Sequence, residues 1–123
     1  MKPFQTLIAS VVMAAAALTS PLAAAHASLK SSNPAANAVL DAAPKEIALT
    51  FNEKVEPAFS SITLTGAGGS TPAGQAKATV DDANPAILRL ALPPLPAGAY
   101  TVGWAAAGRD GHRRKGEFTF TVK

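Results

Sequence analysis

The carboxyl-terminal stretch GAYTVGWAAAGRDGHRRKGEFTFTVK, residues 98–123, holds two runs in which apolar and polar residues alternate. Tyr100, Val102 and Trp104 fall in phase in the first run, and Phe118, Phe120 and Val122 in the second. Between them stands Asp110-Gly111, a dipeptide that favours the tight turns of hairpins. Period-two alternation with β-branched and aromatic residues describes half-buried strands. The stretch therefore reads as an antiparallel hairpin with GRDGHRRKG (108–116) as its loop. The large aromatics on its inward face belong to a core.

The same pattern continues outward. KEIALTF (45–51) puts Ile47, Leu49 and Phe51 on one face. SSITLTG (60–66) aligns Ile62 with Leu64, and AILRLAL (86–92) aligns Leu88, Leu90 and Leu92. GQAKATV (74–80) is a weaker strand of small residues, and an opening strand near residues 27–32 brings the count to about seven. No stretch after residue 25 is a sustained amphipathic helix. AANAVLDAA (35–43) has helix-forming composition, but Pro34 and Pro44 bracket it and allow one turn at most. GAGGSTPAG (66–74) is a flexible loop, because no strand-to-helix context makes it a phosphate cradle. Short alternating strands punctuated by Pro and Gly predict an all-β fold, an immunoglobulin-like antiparallel β-sandwich.

Residues 1–25 follow different rules. Lys2 is followed by the uncharged apolar run Leu7–Leu18, then Pro21 and small residues. This is the layout of a secretory signal peptide. The run is too short for a bilayer span, which takes roughly 20 residues, so no membrane anchor is expected after cleavage. Residues 26–123 then form one exported domain. With Lys2 the one charged residue of the leader, the formal charge falls from +3 to +2, far from the basic stripe that nucleic-acid binding needs. Cysteine is absent, so no disulfide helps the core. Both methionines, Met1 and Met13, lie in the leader, so residues 26–123 contain no sulfur.

The chemistry is confined to few residues. There are two histidines, His26 and His112, and no Ser/His/Asp arrangement at any motif spacing. Asp110 and His112 are two apart, so an extended segment turns both to one side. Two readings of DGH stand: a plain turn with His112 in water, or a carboxylate and an imidazole converging on a metal. His26 adds to the second. As residue one of the mature chain it carries a free amine, which chelates a metal together with its Nδ1. Two nitrogens from His26, one from His112 and an oxygen of Asp110 make a four-coordinate set. Nitrogen and oxygen donors in a tetragonal plane favour Cu(II), whereas Cu(I) prefers sulfur. Everything rests on processing within LAAAHASLK (22–30). Ala23-Ala24-Ala25 before His26 satisfies the small-x-small rule, and so does Ala25-His26-Ala27 before Ser28. The pairing with DGH favours the first cut. The second leaves a metal-free sandwich that mediates protein contacts.

The chain resembles the CopC family of periplasmic copper-resistance proteins. The resemblance is carried by HASLKSSNPAANAVL (26–40), APKEIALTFNEKVEP (43–57), LPAGAYTVGW (95–104), DGH (110–112) and GEFTFTVK (116–123). It implies a Greek-key β-sandwich and a monomer that binds one Cu(II) ion through His26, Asp110 and His112. It also implies a non-enzymatic carrier or buffer in copper homeostasis and resistance, with an inner-membrane copper transport protein (CopD-like) as recipient. Glu53, in the FNE segment, stands either beside the metal as an axial or supporting group or in solvent at a strand end. A methionine-rich Cu(I) site, found in some members, has no residues to build it here. Arg113 replaces the proline that often follows the DGH histidine. With Arg109, Arg114 and Lys115 it makes the loop basic, either as a docking patch for an acidic partner or membrane surface or as a solvated tip. An N-terminal histidine chelate also occurs in copper-dependent polysaccharide mono-oxygenases, but the mature aromatics outside the presumed core are phenylalanines in or near strands, which form no substrate surface.

Overall fold

The computed structural model describes residues 27–72 and 76–123; the leader expected over residues 1–25 and His26 lie outside them. Eight strands are present among the described residues: β1 (Leu29–Asn33), β2 (Val39–Leu40), β3 (Glu46–Phe51), β4 (Ser61–Gly66), β5 (Thr79–Val80), β6 (Ile87–Ala91), β7 (Gly98–Ala107) and β8 (Arg113–Val122). They form two four-stranded sheets, ordered β1-β3-β6-β5 and β2-β8-β7-β4. Most connections pass from one sheet to the other, as in a Greek-key sandwich.

The alternating residues are those that fill the space between the sheets. Ile47, Leu49, Leu88 and Leu90 from one sheet meet Leu64, Val102, Phe120 and Val122 from the other, all buried. Tyr100 stacks on Phe120 with ring centroids 5.4 Å apart. Its hydroxyl donates to the Pro96 carbonyl at 2.5 Å, which satisfies the one polar atom that the ring brings inside. Trp104 is only partly buried and meets Phe51 edge to face, with centroids 5.3 Å apart.

Three details differ from the sequence expectation. The eighth strand, β2, comes from the segment expected to make one turn. Ala35 and Ala38 do close a turn, with Ala38 N–H donating to the Ala35 carbonyl, and Asn37 adopts a left-handed conformation (φ 65°). The chain then runs beside β8, and this β2–β8 pair is parallel. A helix so short cannot offset its nucleation cost, and the open edge of β8 offers backbone partners instead. Of the strand expected over 74–80, residues 76–80 are described, and only Thr79–Val80 among them are strand. The terminal hairpin is longer than its alternation suggests: β7 runs on to Ala107 and β8 begins at Arg113. Ala105, Ala106 and Ala107 are all buried, so no alternation marks them.

Candidate metal centre

The hairpin projects Asp110 and His112 from a loop of five residues, Gly108–His112. Gly111 takes a left-handed conformation (φ 76°), which a β-carbon would disfavour. Its N–H donates to the Gly108 carbonyl at 3.1 Å. Asp110 works twice. Its Oδ1 accepts the His112 backbone N–H at 3.1 Å, an Asx turn that fixes the loop. Its Oδ2 lies 3.3 Å from His112 Nδ1. Two ligands that each sit at about 2 Å from one metal are roughly 3 Å apart, so this pair already has the spacing of adjacent donors. The His112 side chain is 73% exposed and that of Asp110 26%, which leaves the pair open to solvent.

Two further segments converge on this corner. Asn52 and Glu53 follow the last residue of β3. Glu53 lies at the root of the loop: a β-carbon at Gly108 would run into its Oε1, so a side chain there would have to displace the Glu53 carboxylate. That Oε1 is buried and has no hydrogen-bond partner among the described residues. A buried carboxylate oxygen without a donor is costly, and a bound cation nearby would offset part of that cost. The amino-terminal segment is tied to Asn52, the residue before Glu53. Ser28 N–H donates to Asn52 Oδ1 at 2.7 Å, and Asn52 N–H donates to the Ser28 carbonyl at 3.0 Å. Ala27 is fully buried in the core.

Among the described residues no group of three or more His, Cys, Asp and Glu side chains gathers as a metal cage. The described part of the centre is thus the Asp110–His112 pair, with Glu53 behind the loop. Arg109, Arg113, Arg114 and Lys115 are exposed around it, and Arg113 Nε donates to the Phe59 carbonyl at 3.1 Å. Sequence reasoning did not find Asn52 or Gly108. Their roles depend on partners 24 residues away for Asn52 and on another strand's end for Gly108. The FNE segment, directly after an alternating strand, was the available signal.

Residues 29–123 match the CopC domain family. The chain belongs to the CopC family. It is 42% identical over 107 residues to protein YobA of Escherichia coli K12, covering 86% of each chain. To copper resistance protein C of Escherichia coli it is 40% identical over 107 residues, covering 82% of this chain and 84% of that protein. It is also 31% identical to the copper transport protein CutJ of Bacillus subtilis, covering 80% of this chain but 18% of that longer protein. The crystal structure of CopC from Methylosinus trichosporium OB3b superposes with a TM-score of 0.73 at 33% identity, covering 80% of this chain and 94% of that one. The β-sandwich expected from the alternation, and the CopC fold that the resemblance implied, are therefore the fold of this protein, and the match to the CopC family begins at residue 29.

Proposed function

We propose that this CopC-family protein is a periplasmic carrier of one Cu(II) ion per chain, held by His26, Asp110 and His112, and that it works as a monomer without enzymatic activity. The observation that carries the reading is the Asp110–His112 pair, two donor atoms 3.3 Å apart on an exposed, glycine-pinned turn. The donor set is nitrogen and oxygen, and residues 26–123 offer no sulfur, so Cu(II) suits it and Cu(I) does not. Glu53 serves as a supporting anion at the root of the loop.

The burial of Ala27 bears on processing. A cut before Ser28 would remove a fully buried residue from the core. A cut before His26 keeps it and leaves a free amine on the residue next to it. This argument favours residues 1–25 as the signal peptide. An exposed His112 suits exchange with a recipient. In CutJ a segment similar to this chain forms 18% of a protein named for copper transport, which supports an inner-membrane, CopD-like transport protein as that recipient.

The test is Cu(II) affinity by chelator competition. His26→Ala and His112→Ala in the mature chain should each weaken binding by about a hundredfold or more, the loss of one metal–ligand bond, while far-ultraviolet circular dichroism stays unchanged. Equal affinity in either variant would refute the centre. Copper should also leave as pH falls below about 6, because imidazole and amine donors must be unprotonated to bind.

A further inference from the structure

Strand β1 is at the edge of its sheet, and its register with β3 ends at Leu29 opposite Phe51. A chain end beyond the last ladder pair ordinarily frays. Here Asn52 takes over where the ladder stops. The backbone bends at Asn52, so its N–H still reaches the Ser28 carbonyl at 3.0 Å while its carboxamide oxygen accepts the Ser28 N–H at 2.7 Å. A side chain thus supplies the acceptor that the departing backbone no longer offers. Ser28 is gripped at both its donor and its acceptor, and Ala27 is turned into the core.

Resting on the copper reading above, we infer that Asn52 is a positioning residue of the metal centre: it fastens residues 27–28, to which residue 26 is joined, to the end of β3, one residue before the Glu53 that lies against the loop of Asp110 and His112. One tripeptide sets the spacing of the two halves. Phe51 packs on Trp104 of β7, Asn52 clamps the amino-terminal segment, and Glu53 lies on Gly108 at the root of the loop. A terminus ordered before the metal arrives has less freedom to lose on binding, which raises affinity without any new contact to the metal.

Asn52→Ala removes the side-chain acceptor and leaves the backbone bond. It should speed hydrogen exchange at the Ser28 amide in the metal-free protein and weaken Cu(II) binding about five- to tenfold, the worth of one hydrogen bond. The metal-free Tm should move by no more than a few degrees. Asn52→Asp keeps an acceptor at the same reach and should restore Ser28 protection. Unchanged Ser28 exchange or unchanged copper affinity in Asn52→Ala overturns the inference, as does an Asn52→Asp protein whose Ser28 amide exchanges as fast as in Asn52→Ala. His112→Ala separates the two claims. Loss of copper there, with full affinity in Asn52→Ala, overturns the clamp alone. Full affinity in His112→Ala overturns the copper centre, and this role with it.

Discussion

Gly108 has no room for a side chain, because the Glu53 carboxylate occupies the place of its β-carbon. Alanine there must push either the loop or the carboxylate aside. We expect Gly108→Ala to lower stability by about 1 kcal/mol, the low end of the cost of overpacking, because the group that must move is the end of a flexible side chain, measured by urea denaturation. The penalty should largely vanish in a Glu53→Ala background, where nothing remains to collide with. Equal penalties in the two backgrounds would show that the contact is not what demands glycine. Gly116 makes a parallel case: a β-carbon there would stand 2.6 Å from Trp104 Cζ2, on the ring that packs against Phe51. Trp104 is the one tryptophan, so its fluorescence reports the shift directly. At this scale the sequence was uneven. Asp110 and His112 announced themselves, because a turn dipeptide and a two-residue spacing are local properties. Gly108 and Asn52 did not, because what constrains them lies elsewhere in the chain.

Among the elements, β3, β5 and β6 are tied across their outward face by Arg89. Its Nε lies 2.8 Å from Asp81 Oδ1, and its Nη1 2.6 Å from Glu46 Oε1. The other oxygen of Asp81 accepts the Ala83 and Asn84 N–H groups and closes the turn after β5. The hydrogen bond from Arg89, then the backbone bond from Asn84, hold the Asp81 carboxyl below its usual pKa, against some desolvation. A depressed carboxylate pKa contributes stability that is present above the unfolded value, about 3.9. That contribution is lost as pH falls through the lower folded value. Arg89→Met, which keeps the stem but not the charge, should therefore unfold at lower urea than wild type at pH 7. The gap should narrow below about pH 4, and also in high salt, because the cluster is exposed and screened. A gap that persists unchanged in acid would place the effect in packing rather than charge. Strand β6 was legible from Leu88 and Leu90 alone, but its ion cluster was not, since Glu46 is 43 residues from Arg89. Strand β2 was illegible for another reason. Two residues carry no period, and their pairing is dictated by the open edge of β8.

For the whole molecule, the sandwich has no cysteine and must rely on its core and on whatever binds to it. A ligand that binds only the folded state adds about 2.7 kcal/mol at a hundred times its Kd. For a domain of this size that raises Tm by on the order of 10 °C. The proposed centre makes this gain conditional on processing. In the unprocessed chain the nitrogen of His26 is part of a peptide bond to Ala25, so it is not an amine. Three chains heated with and without Cu(II) decide this: one beginning at His26, the same chain with its His26 amine acetylated, and one beginning at Ser28. The free chain from His26 should show the full shift, and the acetylated chain only a small part of it. The chain from Ser28 should show almost none, and without copper it should already be less stable by roughly 1 kcal/mol, because it lacks the buried methyl of Ala27. An equal copper shift in the free and acetylated chains from His26 would mean that the amine is not a ligand, and the donors would then have to be found among side chains alone.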